Sequence, residues 1–156
     1  MLPLLSIQNV SIGFRQENKL TPAVHNISFF VNRGETVAIV GESGSGKSVT
    51  SLTILQLLPA PPAAYTSGNI MFSEQGEAGV DLLRLSEKEM RAVRGNKIAM
   101  IFQEPMTSLN PLYTCGNQVM EAIMLHQAVS PTDAKQKTIE LFEKVQLPEP
   151  AAMFNR

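Results

Sequence analysis

The sequence is short of cysteine, of net charge and of long apolar runs, and each shortage excludes a class of protein. Cys115 is the only cysteine, so the chain cannot form an internal disulfide, and a reducing cytoplasm is the simplest setting. The 13 basic and 14 acidic residues give a net charge of −1, which argues against a polybasic protein that binds nucleic acid or membrane surfaces. No apolar run approaches the roughly 18 residues that a membrane-spanning helix needs. The 156 residues, 44% of them apolar, suffice for one ordinary domain with a core.

The most informative stretch is the octapeptide Gly41–Ser48, which reads Gly-Glu-Ser-Gly-Ser-Gly-Lys-Ser. It fits the phosphate-binding pattern G-x-x-x-x-G-K-[ST] at every fixed position. The apolar run Val37–Val40 precedes it and predicts a strand buried on both faces of a parallel sheet. The segment Val49–Leu58 predicts a helix. The octapeptide is therefore predicted to connect the end of a strand to the start of a helix.

The residue types of this loop fit the chemistry of binding a nucleotide. Its glycines permit backbone angles and close approaches that a side chain would block, so that the amides from Gly44 to Ser48 can point at an anion. The positive end of the following helix dipole adds to that field. The pattern assigns the ammonium of Lys47 to the β- and γ-phosphates of ATP and the hydroxyl of Ser48 to Mg²⁺.

The rest of the sequence alternates between short strand and helix patterns. Leu5–Phe14 predicts one long strand with a bulge where the alternation changes phase at Gln8 and Asn9. Arg15–Pro22 is predicted to be a polar turn, and Ile27–Val31 a second strand antiparallel to the first. Two further strands are predicted, one at Ile70–Phe72 and a second buried parallel strand at Ile98–Phe102. Three helices are predicted as well: one that starts with a capping box at Ser86, one at Gln118–His126, and one that starts at Ser130-Pro131. The last of them is predicted to carry Ile139, Phe142 and Val145 inward and to end near Pro148.

A second motif narrows the family. Phe102-Gln-Glu-Pro-Met-Thr-Ser-Leu-Asn-Pro111 resembles the Q-loop region of ABC-transporter ATPases, and more narrowly the ATP-binding subunits of oligopeptide and dipeptide importers. The segments Leu57-Leu58-Pro59 and Arg94–Ile98 resemble those of the microcin C and peptide importer group. The resemblance implies an α/β fold, a P-loop NTPase core in which a parallel sheet is joined by an antiparallel N-terminal β subdomain. It divides the chain into an antiparallel β part at 1–35, a phosphate-loop core at 36–102, and the Q-loop with the start of a helical subdomain at 103–156.

The resemblance also implies roles for residues outside the octapeptide. Phe14 falls where the family stacks an aromatic ring on adenine, although a half-buried sheet residue is the alternative interpretation. Gln103 falls where the family's glutamine approaches Mg²⁺ and the attacking water; a polar residue that caps the strand end is the alternative. Lys47 and Gln103 are thus the predicted catalytic residues, and Ser48 and Gln103 the predicted metal ligands. The predicted ATP-binding set is Phe14, Gly41, Ser43, Gly44, Ser45, Gly46, Lys47, Ser48 and Val49.

As an importer ATPase, the parent protein would hydrolyse ATP with Mg²⁺ and drive peptide uptake. The resemblance implies the transmembrane permease subunits and a second nucleotide-binding domain as partners, and places the protein at the cytoplasmic face of the inner membrane. Relatives of the ABC ATPases also work on DNA, but the net charge of −1 argues against a nucleic-acid partner. Pro105–Met124 would face the permease, although Met120 and Met124 fit a helix core equally well.

The sequence also departs from the family pattern. It contains no Leu-Ser-Gly-Gly-Gln signature and no apolar strand that ends in Asp-Glu, and neither His25 nor His126 lies where the family has its switch histidine. We therefore expect a partial nucleotide-binding domain, truncated before the signature motif and lacking the general base. Such a piece should bind nucleotide weakly, hydrolyse it negligibly and self-associate through uncovered apolar surface.

Two other functions compete with this interpretation. A complete small P-loop kinase would use Glu104 as the acidic residue that follows a core strand. A non-catalytic module would use Pro105–Met124 to bind a protein partner. Transfer of phosphate to a small molecule would favour the kinase, and partner binding that survives Lys47→Ala would favour the module.

Overall fold

The computed structural model describes residues 2–17, 19–76, 78–103 and 108–156. The chain forms two compact units, Met1–Lys97 and Ile98–Arg156. Within the described ranges, no helix is both long and apolar enough to cross a membrane.

The first unit is built on a four-stranded antiparallel sheet. Its strands are β1 (Leu5–Gln16), β2 (Lys19–Val31), β3 (Ala63–Phe72) and β4 (Val80–Asp81), in the order β2-β1-β3-β4. Their inward side chains form the core, in which Ile7, Val10, Ile12 and Ile70 are each 1% exposed. The predicted antiparallel pairing of the first two strands is confirmed.

The predicted bulge in β1 is also present. Asn9 has a φ of +51°, and the pairing with β2 shifts register between Ile7 and Val10. The extra residue lets two side chains an odd number of positions apart face the same core. Gly68 of β3 lies against the bulge, and a Cβ there would be 2.4 Å from the Gln8 carbonyl oxygen.

Three of the strands, β1, β2 and β3, are longer than predicted. Arg15 pairs with Leu20 and Gln16 with Lys19, so the predicted polar turn at Arg15–Pro22 is mostly strand. β3 begins at Ala63, seven residues before the predicted strand at Ile70, because it pairs with β1 along most of its length. Backbone pairing with a neighbouring strand has outweighed the polar character of these stretches.

The first unit contains two α-helices and a short 3₁₀ helix. They are α1 (Lys47–Ile54), the 3₁₀ turn (Leu82–Arg84) and α2 (Glu87–Val93). α2 begins with the predicted capping box, in which Ser86 accepts from the Glu89 amide and Glu89 accepts from the Ser86 amide. α1 ends four residues before the predicted Leu58, and Gln56 just beyond it has a left-handed φ of +49°.

The two predicted parallel strands are not formed. Neither Val37–Val40 nor Ile98–Phe102 belongs to a strand, and the sheet of the described residues contains no parallel pair. Val40 is 88% exposed and Ile101 is 95% exposed. A strand buried on both faces needs strands on its edges and layers on its faces, and no described segment supplies them to these two runs.

The described part of the second unit contains the helices α3 (Cys115–His126), α4 (Pro131–Lys144) and α5 (Pro150–Met153). Ser130 caps α4 through the Asp133 amide and Pro131 occupies its first turn, as predicted. α4 ends at Lys144 rather than near Pro148, and Val145, which was predicted to face inward, is exposed. The small core of this unit contains Ile123, Ala134, Phe142 and Phe154.

Candidate functional site

The octapeptide forms a loop that leads directly into α1. Gly46 is the residue before the helix and has a φ of +91°, and Gly44 has a φ of +82°. A Cβ on Gly46 would lie 2.9 Å from Val24 Cγ2 and 3.0 Å from the Ala23 carbonyl oxygen. Glycine at this position therefore lets the loop pack on β2 while the chain turns into the helix.

The N-terminal end of α1 is open to an anion. No side chain caps it, and the first amides of a helix have no intrahelical acceptor. The helix dipole adds a partial positive charge at the same end. Thr50 anchors the first turn, because its amide and its hydroxyl both donate to the Gly46 carbonyl, at 2.9 and 3.0 Å. The arrangement presents N–H groups from a fixed position, which is what a phosphate group needs.

The Lys47 side chain folds back over the loop. Its Nζ lies 2.7 Å from the carbonyl oxygens of Gly41 and Glu42 and 3.4 Å from the Ser45 hydroxyl. Among the described residues, no carboxylate pairs with it. The ammonium thus has only neutral acceptors, and a phosphate placed against the loop would gain an unneutralised cation.

The remaining loop residues are arranged to leave space at the helix start. The Ser48 side chain is exposed, and its hydroxyl has no hydrogen bond to any described residue. A Cβ on Gly41 would lie 2.7 Å from the Ser45 hydroxyl, which would have to rotate away. Ser43 is exposed and Val49 is half-buried. The predicted loop residues are all brought together.

A cavity of about 590 Å³ opens beside the loop. The apolar run Val37–Val40, Ile27 and Phe29 of β2, and Lys47 line it. Phe14, the predicted adenine-stacking residue, is not part of this lining. It is half-buried in β1, in register with Thr21 and Ala63 on the two neighbouring strands. Its role in stacking stays a prediction.

The predicted Q-loop lies in the second unit. Gln103 is exposed there, while Glu104, Pro105, Met106 and Thr107 fall outside the described residues. The kinase alternative, which depends on Glu104, is therefore not addressed by the structure.

The segment after the Q-loop is held against α3 by one side chain. Gln118 donates to the carbonyls of Asn110 and Tyr113 at 3.0 and 3.1 Å, and its Oε1 accepts from the Asn110 amide at 2.8 Å. This brace leaves Leu112 85% exposed and Tyr113 63% exposed. Of the two methionines of α3, Met120 is half-buried and Met124 is exposed.

Sequence reasoning assigned no role to Arg94, which contacts the other end of α1. Its guanidinium donates to the Leu55 carbonyl at 2.8 Å and to the Gln56 carbonyl at 3.0 Å. It also pairs with Glu87 at 2.9 Å, and this hydrogen bond lowers the pKa of the Glu87 carboxyl. The sequence held only a weak signal for this role of Arg94. α1 has no basic residue in its last turn, and a cation from another part of the chain is favourable at such a helix end.

Comparison with known proteins identifies close relatives. The sequence profile described as ABC transporter matches residues 24–154. A peptidoglycan transport ATP-binding protein of Agrobacterium fabrum is 52% identical over 148 residues, which are 95% of this chain and 26% of that protein. An oligopeptide transport ATP-binding protein of Bacillus subtilis is 45% identical over 98% of this chain and 41% of its own length. A glutathione import ATP-binding protein of Pectobacterium atrosepticum is 42% identical over the whole chain and 26% of its own length.

Solved structures of ATP-binding cassettes share the fold. The post-hydrolysis dimer of the cassette MJ0796 bound to ADP and Pi aligns with a TM-score of 0.74 at 22% identity, over 97% of this chain and 60% of that one. A second dimeric structure of MJ0796 aligns with the same TM-score at 24% identity. The predicted fold class is thereby confirmed as a fragment of the ABC ATPase fold, with the antiparallel N-terminal sheet present and the two parallel strands not formed among the described residues. The chain spans about a quarter of the length of the peptidoglycan and glutathione transport relatives.

Proposed function

Because this chain belongs to the ABC transporter family, we propose that it binds the triphosphate of ATP at Gly41–Ser48 as the nucleotide-binding part of a peptide-importer ATPase. The observation that carries the proposal is the junction of Gly46 and Lys47. There an uncapped helix N-terminus lies at the same loop as an ammonium group that pairs with no carboxylate of the described residues. Fixed amides and an unneutralised cation together favour a highly charged anion over a neutral ligand.

The roles of the loop residues follow from their positions. Lys47 exchanges its bonds to the Gly41 and Glu42 carbonyls for bonds to phosphate oxygens, and charge-assisted bonds are each worth about 1.5–3 kcal/mol. The amides of the loop and of the first turn of α1 orient the phosphates. The exposed hydroxyl of Ser48 would hold Mg²⁺, which neutralises phosphate charge when bound. For Gln103, a role as metal ligand is proposed from the family resemblance alone. Phe14 is retained as the proposed adenine contact.

The partners and the setting are proposed from the named relatives. Those relatives are named for the transport of oligopeptides, glutathione and peptidoglycan, so a permease for peptide-like compounds is the proposed partner. The exposed residues Leu109, Leu112 and Tyr113 offer it a contact surface. A second nucleotide-binding domain is the other proposed partner, and the cytoplasmic face of the inner membrane the proposed location. We also propose the subdomain boundaries at residues 36 and 103, which separate the antiparallel β part, the phosphate-loop core and the Q-loop part.

Hydrolysis by these 156 residues alone should be negligible. The sequence holds neither the Leu-Ser-Gly-Gly-Gln signature nor an apolar strand ending in Asp-Glu, so it offers no general base of the family type. We expect the chain to bind Mg·ATP without releasing phosphate at a measurable steady rate. Sustained turnover that is abolished by Lys47→Ala would contradict this expectation.

Calorimetric titration of the full chain with Mg·ATP tests the binding proposal. Lys47→Ala should weaken binding about 10- to 100-fold, because one or two charge-assisted bonds to phosphate are lost. Lys88→Ala is the matched control, since Lys88 is an exposed lysine of α2 outside the loop. Equal affinity of wild type and Lys47→Ala, or no saturable binding by the wild type, would overturn the proposal.

A further inference from the structure

The C-terminal end of α1 depends on a cation supplied from elsewhere in the chain. The last carbonyls of any helix lack intrahelical donors and carry partial negative charge. α1 has no basic residue in its last turn. The Leu55 residue that caps it is 4% exposed, so water has little access to this end of the helix.

Arg94 satisfies this helix end from 39 residues away. Its Nε donates to the Leu55 carbonyl at 2.8 Å and its Nη2 to the Gln56 carbonyl at 3.0 Å. The side chain is 23% exposed, so both bonds are shielded from water. The planar guanidinium has a fork of donors that reaches two neighbouring carbonyls at once, which a lysine cannot do in the same way.

Two further interactions support the contact between Arg94 and the end of α1. Gln56, just beyond α1, donates through Nε2 to the carbonyls of Leu82 at 2.5 Å and Leu85 at 3.1 Å. The end of α1 is therefore also bonded to the 3₁₀ turn that leads into α2. Glu87 accepts from Arg94 Nη1 at 2.9 Å and keeps the third nitrogen of the fork occupied. Arg91 of α2 donates to the same Glu87 oxygen at 3.4 Å and has no hydrogen bond to α1 among the described residues. Arg91 therefore provides a natural control for charge and for the ion pair.

We propose that Arg94 is a positioning residue for nucleotide binding, acting through α1 on Lys47 and Ser48. This inference rests on the proposed function of the phosphate loop. α1 has eight residues and is therefore only about 12 Å long. Its N-terminal end is set by the packing of Gly46 on Val24, and its C-terminal end by the Arg94 fork. Without the fork, the short helix tilts or frays, and Lys47 and Ser48 at its start lose their fixed direction.

Binding of Mg·ATP to three variants of the full chain tests the role of Arg94. Arg94→Met removes the fork and should weaken binding about 10-fold or more. Arg94→Lys keeps the charge but can bond fewer carbonyls, and should fall between wild type and Arg94→Met. Arg91→Met should bind as wild type does. Amide hydrogen exchange of Thr50 and Ser51 without nucleotide, measured well below each melting temperature, should accelerate in Arg94→Met and not in Arg91→Met.

The outcomes separate this inference from the proposed function. Wild-type binding together with unchanged affinity in Arg94→Met overturns the positioning role alone. A wild type that binds no Mg·ATP overturns the proposed function and the positioning role with it. If Arg94→Met does not fold, Arg94→Lys is compared with the control Arg91→Lys. Weaker binding of Mg·ATP by Arg94→Lys than by Arg91→Lys supports the positioning role. An affinity of Arg94→Lys equal to that of the wild type overturns it.

Discussion

Two glycines of the phosphate loop share a left-handed backbone but differ in their surroundings. Gly44 and Gly46 have φ values of +82° and +91°. A Cβ on Gly44 would meet nothing within 4 Å, whereas one on Gly46 would press on Val24 and the Ala23 carbonyl. The loop pattern fixes Gly46 and leaves Gly44 at one of its variable positions, and only the structure shows that Gly46 is also needed for packing on β2.

This difference predicts unequal losses of stability. Gly44→Ala should lower the free energy of unfolding by about 1–2 kcal/mol, the cost of a left-handed backbone for a residue with a side chain. Gly46→Ala should cost at least about 1 kcal/mol more, because a well-packed neighbour must also move. Urea unfolding of both variants measures the difference. Equal unfolding free energies would contradict the packing role of Gly46.

The separation of contacting residues along the chain explains which site residues the sequence could identify. Gly41 through Ser48 are contiguous, so their shared geometry follows from one local pattern. Arg94 acts on Leu55 and Gln56 across 38 or 39 residues, and no local pattern links them. The position of Phe14 in β1 likewise depends on both neighbouring strands, which the sequence does not align.

At the scale of elements, local signals were reliable and long-range ones were not. The caps at Ser86 and Ser130 were predicted because a capping box involves only four residues. The end of α1 was misplaced because its proline-rich continuation gave no sign of the left-handed Gln56. The apolar run Val37–Val40 indicates a buried strand, but a run cannot show whether neighbouring strands are present to pair with it.

The capping box of α2 predicts a pH-dependent contribution to stability. Hydrogen bonds from the Ser86 side chain and backbone lower the pKa of the Glu89 carboxyl below its usual 4.5. A lowered pKa in the folded state means that the contribution is present above pH 4.5 and is lost as the pH falls through the folded value. Hydrogen bonds from Arg94 lower the pKa of Glu87 in the same direction.

Ser86→Ala therefore should destabilise the protein more at pH 7 than at acidic pH. Loss of an N-cap serine costs about 1 kcal/mol near neutrality. Well below pH 4.5, Glu89 is protonated in both proteins and the difference should shrink. Chemical unfolding of wild type and Ser86→Ala between pH 7 and pH 3 measures it. A difference that grows as the pH falls would contradict the assigned direction.

At the scale of the whole molecule, exposed apolar side chains are the dominant feature. Val40, Ile101 and Leu112 are each more than 80% exposed, and two of them belong to runs that read as buried strands. Large apolar side chains exposed to this extent favour association in water. The fold class could be predicted from the motifs. The exposure of Val37–Val40 and Ile98–Phe102 could not, because burial depends on the surfaces that surround a segment.

We therefore expect the isolated chain to self-associate. Light scattering after size-exclusion chromatography should show a mass that rises with protein concentration. The double variant Val40→Lys and Ile101→Lys should reduce this rise, whereas the single variant Gln75→Lys, at an exposed polar residue, should not. A sharp monomer at every concentration would show that the exposed runs do not drive association.

The central claim is that the amides at the start of α1 and the Lys47 ammonium form a cradle for triphosphate. Amide proton and nitrogen NMR shifts of the full chain, titrated with Mg²⁺ and a non-hydrolysable ATP analogue, test it most directly. The account predicts that the largest saturable shifts occur at Gly44, Gly46, Lys47 and Ser48, and that Lys47→Ala needs about 10- to 100-fold more ligand to reach them. Saturable shifts centred on another part of the chain, or saturation of Lys47→Ala at the same ligand concentration as the wild type, would contradict it.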